Sequence, residues 1–328
     1  MAEARWRATA PAGAALVLIA AADVHASSVT LYGIVDTSFV YTRNSGGTPD
    51  RIELQSGSLS GSRIGLKGVE QLGGGAVAVF QLENGFNAGT GQMNQGRRLF
   101  GRQSHVGLRS AGGHTIVAGR LYDPLTDLVQ PLQGDGYLGQ TFSTPGDVDN
   151  ADASARFNHA VKWTSPRAGG LQASAAAVRV VRVVRVVRVV RVVRVVRVAA
   201  QYTFGAVTAD GYYSDARYLH DGASLFGRAQ HYRNVSNHGV WQAMPELNAV
   251  LAYNHLHASG DSSARYRQLS AGAACLLSKR TDLYTVVGYA HATGSNGSGS
   301  AQAVVGATGV DAGGPSQLRV NAGLRHRL

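Results

Sequence analysis

The segment 121–155 concentrates negative charge. It holds Asp123, Asp127, Asp135, Asp147, Asp149 and Asp152, with no Lys or Arg among them, and Arg120 and Arg156 flank it directly. On a solvated loop, such carboxylates only keep the chain wet. Set against an arginine-bearing wall, they would hold a transverse field across a water-filled passage, which sorts ions without reacting with them. Pro124, Pro131 and Pro145 argue against a sheet interior, so the segment reads as a loop. The other reactive side chains point to no chemistry. The chain has 11 His but no HExxH pattern. His255 and His257 alternate on one strand face, where a place in a girdle or lumen suits them better than a metal. No nucleophile elbow is present. The Gly73, Gly74, Gly75 run between two alternating stretches marks a hairpin rather than a phosphate cradle. No catalytic residue, metal site or cofactor is expected.

The elements that would position these charges are strands. Residues 27–41 alternate with period two: Val29, Leu31, Val35 and Phe39 share one face, and Thr30, Tyr32, Asp36 and Ser38 the other. A strand greasy on one side and carrying a carboxylate on the other suits a wall between lipid and water. The pattern recurs. Arg63, Gly65 and Lys67 oppose Ile64 and Leu66; Val77, Gln81 and Glu83 oppose Ala78, Phe80 and Leu82. Arg156, Asn158 and Lys162 oppose Phe157, Val161 and Trp163; Arg319, Asn321, Arg325 and Arg327 oppose Leu318, Val320 and Leu324. The stretches 42–49 and 295–316, rich in small and polar residues, read as surface loops.

Composition agrees with a wall of strands. Gly is abundant at 42, and Tyr, at 13, leads the aromatics. Residues 1–26 read as an export signal: Arg5 and Arg7, an apolar run over 12–22, and small residues before a cleavage point at Ala26. The apolar run is too short to span a bilayer, which takes about 20 residues, so membrane crossing would fall to strands. The single Cys275 excludes an internal disulfide. The formal charge of +11 misleads, because seven Arg lie in one tract and the remainder is only mildly basic. A nucleic-acid partner is therefore not expected.

That tract, 178–198, repeats a Val-Arg-Val unit. A period of three fits neither regular element, since successive Arg alternate between the faces of a strand and drift around a helix. Three readings stay open: a basic tract for acidic lipid heads or nucleic acid, an inserted segment, or a repeat expansion that replaced a strand-loop-strand region.

Certain stretches taken together resemble a family. They are SSVTLYGIVD at 27–36, SRIGLKG at 62–68 with LGGG at 72–75, FQLENGF at 80–86, LFGRQ at 99–103, LSKRTDLY at 277–284 and GLRHR at 323–327. The chain resembles the general diffusion porins of Gram-negative outer membranes, in their beta-proteobacterial branch, over most of 27–170 and 245–328. The resemblance implies an all-β fold: a transmembrane antiparallel β-barrel of 16 strands over 27–328, with the third extracellular loop, here 121–155, folded into the lumen. It implies a homotrimer that meets outer-membrane lipid and the outer-membrane assembly machinery and passes ions and small hydrophilic solutes. It also implies a constriction in which wall arginines face loop acids. Arg63, Arg102, Arg120 and Arg156 are the arginine candidates, and Asp123, Asp127 and Asp135 the acids. Alternation supports Arg63 and Arg156, whereas the place of Arg102 rests on the resemblance. A barrel that folds without conducting, with a structural or surface role, is the rival reading.

Overall fold

The computed structural model describes residues 28–132, 138–152, 155–168, 172–178, 193–220 and 227–328. The export signal at 1–26, Asp135 and positions 179–192 of the repeat tract lie outside the described residues.

The alternation read in the first strand is realised in β1 (Ser28–Ser45): Val29, Leu31, Val35 and Phe39 are exposed, while Asp36, Ser38, Val40 and Thr42 are buried. At 18 residues β1 is longer than the roughly 9–11 residues a crossing needs. One half pairs with β2 (Thr48–Ser56) and the other with β3 (Arg63–Gly73). The gap between β2 and β3 has a local cause. Asp36 accepts the backbone N–H of Leu59 at 3.0 Å and of Ser60 at 2.6 Å, which draws 57–62 inward off the ladder.

From β3 the sheet continues through β4 (Ala76–Gly85), β5 (Gln103–Arg109), β6 (Thr115–Tyr122) and β7 (Arg156–Thr164) to β8 (Ser174–Val178). On the other side of β1 it continues through β15 (Ser316–Arg327), β14 (Thr281–Thr293), β13 (Arg265–Leu276), β12 (Leu247–Ser259), β11 (Gln230–Met244) and β10 (Val207–Tyr218) to β9 (Val193–Phe204). All pairings are antiparallel. The first and last of these strands, β1 and β15, pair over Ile34 to Arg43 and Leu318 to Arg327, as a closed wall requires. Among the described residues the sheet has 15 strands, against the expected sixteen. Two of these, β2 and β3, share one partner because of the Asp36 break, and 179–192 lie between β8 and β9.

Two expected loops differ. The stretch 42–49 is a tight hairpin in which Gly46 and Gly47 take the left-handed φ values of 61° and 83°. The stretch 295–316 is a surface loop only in part: Gly297 to Ser300 are exposed, but Ala301, Ala303, Val304 and Val305 are buried inside the sheet. There Ala301, Ala303 and Val305 join Ala258, Ala290 and Ala292 of the wall. The small side chains that suggested a solvated loop are what allows its backbone to pack against the inner face of strands. The short turns 74–75, 205–206 and 245–246 lie at one end, and the long connections 123–155, 219–229 and 294–315, with the 46–47 hairpin beside the last of them, at the other.

Candidate pore constriction

The long connection after β6 turns inward. A short helix, Pro124–Val129, leads it, and the backbone then crosses to the inner faces of β10 to β13. There the wall supplies donors to loop carbonyls that a single turn leaves unpaired. Asn254 donates to the Phe142 carbonyl at 3.1 Å, and Gln268 and Ser270 donate to that of Thr141 at 2.8 and 3.0 Å. Ser214 donates to Asp149 Oδ2 at 2.5 Å, and Tyr218 to the Val148 carbonyl at 2.5 Å. Phe142 and Leu138 fill the space between loop and wall together with Leu59, Val240, Val250 and Val286. The loop is thereby braced on the wall opposite the strands it leaves.

Beside the braced loop a cavity of about 590 Å³ remains, lined by Arg63, Arg102 and Arg156 on the wall side and Asp127 and Asp152 on the loop side. Glu83 stands behind the arginines. Its Oε1 takes Arg102 Nε at 2.7 Å, and its Oε2 lies 4.0 Å from Arg63 and accepts the Tyr32 hydroxyl at 2.9 Å. Gln81 donates to that hydroxyl in turn at 2.7 Å. The Tyr122 ring lies 5.8 Å from the Arg102 guanidinium and 5.0 Å from that of Arg156, so one aromatic ring attracts both cations.

The expected residues divide as follows. Arg63, Arg102, Arg156 and Asp127 come together around the cavity. Arg120 is not among the lining side chains; it donates to the Gly101 carbonyl at 2.7 Å and to Asn158 Oδ1. The reason is a register shift between Gly119 and Leu121, which sits at Arg120 and takes it out of simple alternation. Asp123 opens the helix, its carbonyl accepting the Asp127 N–H, and is likewise not a lining residue. Asp127 pairs with Lys162 of β7.

Four partners went unchosen in the sequence reading: Glu83, Tyr122, Asp152 and Lys162. Glu83 and Lys162 were visible on the polar faces of their strands, and Asp152 among the loop acids, but alternation says nothing about which of these groups meet. Burial, helped by the neighbouring Asp147, pushes the Asp152 carboxyl up to about 7, against the pull of Arg102, Arg156 and Arg63.

A wall of antiparallel strands, apolar outside and charged inside, with loops folded into its interior, is the architecture of a transmembrane β-barrel. The chain belongs to the Gram-negative porin family, whose sequence pattern matches residues 8–180 and 191–295. The break between the two matched segments, 181–190, falls inside the Val-Arg-Val tract. An outer membrane porin protein of Bordetella pertussis is 34% identical over 181 residues, 49% of this chain and 45% of that protein. Outer membrane porin protein 32 of Delftia acidovorans is 33% identical over 167 residues, 48% of this chain and 46% of that protein. The chain thus spans about half the length of the curated relatives it matches. Among solved structures, an anion-selective porin from Comamonas acidovorans superposes with a TM-score of 0.73 at 22% identity, covering 92% of this chain and 100% of that one. A trimer form of OmpT from Vibrio cholerae superposes at 0.65 with 14% identity, over 93% of this chain and 100% of that one. At such identities the likeness is one of fold, and it is the barrel fold that the family carries.

Proposed function

We propose that this protein forms a water-filled channel for the passive diffusion of ions and small hydrophilic solutes across the Gram-negative outer membrane. The observation that carries this reading is the cavity beside the inward loop, where Arg63, Arg102 and Arg156 face Asp127 and Asp152. Charges fixed on opposite sides of a narrow aqueous passage act on a passing ion at short range and in a lowered dielectric. Lysine and arginine outnumber carboxylates around it once Glu83 and Lys162 are included. We therefore assign the channel a preference for anions, in keeping with the name of the Comamonas porin it superposes on. The working form is a homotrimer, as in the trimer form of OmpT. Its surroundings are outer-membrane lipid and, during biogenesis, the outer-membrane assembly machinery. An export signal at 1–26 would deliver a barrel beginning at 27.

Planar-bilayer recording of the refolded protein tests the reading. Stepwise conductance that scales with bulk salt is expected, with a reversal potential in a salt gradient that moves toward cations in Arg63→Ala. Silence from verified trimers would favour a non-conducting structural barrel.

A further inference from the structure

We propose that Asn296 is a self-modifying site, where the chain converts its own side-chain amide to a carboxylate through a cyclic imide formed with the backbone nitrogen of Gly297. Asn-Gly is the dipeptide in which this chemistry meets least steric resistance, because glycine has no Cβ to keep its nitrogen from the preceding side chain. The chain contains two such pairs, Asn84-Gly85 and Asn296-Gly297. Their surroundings differ.

Asn296 stands near the start of the connection after β14. Its backbone N–H donates to the Gly299 carbonyl at 3.0 Å, which closes a tight turn. Its Oδ1 accepts three donors: the Ser298 N–H at 3.0 Å, the Ser298 hydroxyl at 3.1 Å and the Gly299 N–H at 2.9 Å. When a nucleophile adds to Cγ, negative charge gathers on that oxygen, so the three donors form an oxyanion hole already in place. The nucleophile is also held. The Gly297 N–H donates to Ser295 Oγ at 3.1 Å, which offers its proton a path to water. Gly297 to Ser300 are exposed, and a cleft of about 420 Å³ lined by Asn296, Ser298 and Gly299 admits water.

The atoms balance without a co-reactant other than water. The Gly297 nitrogen gives its proton through Ser295 Oγ to solvent and bonds to Asn296 Cγ. The tetrahedral adduct collapses with cleavage of the Cγ–Nδ2 bond, and the departing nitrogen takes a proton from water and leaves as ammonia. Water then opens the five-membered imide. Cleavage at Cγ gives aspartate, and cleavage at the main-chain carbonyl gives isoaspartate, with the backbone rerouted through Cβ. Either product sets a new carboxylate near Asp261, since a Cβ at Gly297 would lie 3.3 Å from that of Asp261.

Asn84 lacks this arrangement. It is buried at the end of β4, and its Nδ2 donates to the carbonyls of Arg98 and Leu99, which retains the group that would have to leave. The side chains of Gln95 and Arg102 crowd Gly85.

The test ages the full refolded chain at mildly alkaline pH and follows both Asn-Gly peptides by mass spectrometry, with isoaspartyl methyltransferase labelling the rearranged product. Asn296 should convert about tenfold or more faster than Asn84. It should also convert about threefold or more faster than the same residue in the urea-unfolded chain, the gain that one extra hydrogen bond to the oxyanion gives. Ser298→Ala, which removes one donor from an exposed turn, should slow Asn296 by about the same factor. Equal rates at the two pairs in the folded protein, or an unchanged rate in Ser298→Ala, would overturn the proposal. So would faster conversion of Asn296 after unfolding, which would show that the turn protects the amide. Because the two pairs are compared within one unaltered protein, the outcome does not depend on the folding of a variant.

Discussion

Glu83 accepts from Tyr32 and pairs with Arg102 while Arg63 stands 4.0 Å away, so one carboxylate holds two guanidiniums side by side. Glu83→Gln keeps the shape and removes the charge. Anion preference should rise, read as a shifted reversal potential, and the temperature at which the heat-modifiable band unfolds should fall. The cost is about 1–3 kcal/mol, that of leaving two part-buried cations against a neutral amide. Asp152 supplies a titratable element. With its carboxyl raised to about 7, it is mostly neutral at pH 6 and mostly charged at pH 8. Acidification thus removes a negative charge from beside Arg63, Arg102 and Arg156, and anion preference should strengthen as pH falls. Asp152→Asn should remove that dependence; a pH-invariant reversal potential in the unaltered protein would sink the assignment. Of these groups Arg63 was legible in the sequence, because period-two alternation reports directly which face a strand residue takes. Arg102 was legible only through the family resemblance of LFGRQ at 99–103, because β5 begins at Gln103 and alternation does not extend to the residue before it.

At the scale of elements, three inward segments, 57–62 and the loops 123–155 and 294–315, narrow the interior, and a small number of groups hold them. Asp36 secures 57–62 through the N–H groups of Leu59 and Ser60 and takes the Tyr284 hydroxyl at 2.6 Å. Asp36→Ala takes the carboxylate from three donors, two of them buried, and should cost about 3 kcal/mol. Because Leu59, Ser60 and Gly61 line the cavity, it should also make single-channel current noisier. Unchanged noise would separate the segment from the conducting path. The second device joins the two in-folded loops. The Gly306 carbonyl accepts from Gly146 at 2.8 Å, and its N–H donates to Gln268 at 2.6 Å. Gly306 takes φ +54°, and a Cβ there would lie 1.9 Å from the Gln140 carbonyl oxygen. Gly306→Ala should therefore part the loops, seen as faster cleavage of 123–155 or 294–315 by added protease at an unchanged strand content. The burial of 301–305 was not readable from sequence, since alanine and glycine are as common in exposed loops as in backbone packed against a wall.

For the whole molecule, the Val-Arg-Val tract can be divided. Its last residues belong to β9, where Val196 and Val198 are exposed on the outer face and Arg197 is buried on the inner one. The family pattern passes over 181–190. Deleting 181–190 should leave heat-modifiable trimers intact, whereas removing 193–198 takes half of β9 from the sheet and should abolish them. The opposite pair of results would show that the repeat itself is needed for assembly. Sequence alone determined the strands, their faces, the apolar exterior and the acidic loop, because side-chain alternation is a local property that each strand writes for itself. Tertiary structure alone decided which charges meet. The pairing of Glu83 with Arg102, the contact of Tyr122 with two arginines, and the bracing of Thr141 and Phe142 on β12 and β13 join groups far apart in the chain. Each depends on how the wall curves and where the loops enter it, and no local pattern encodes that distance.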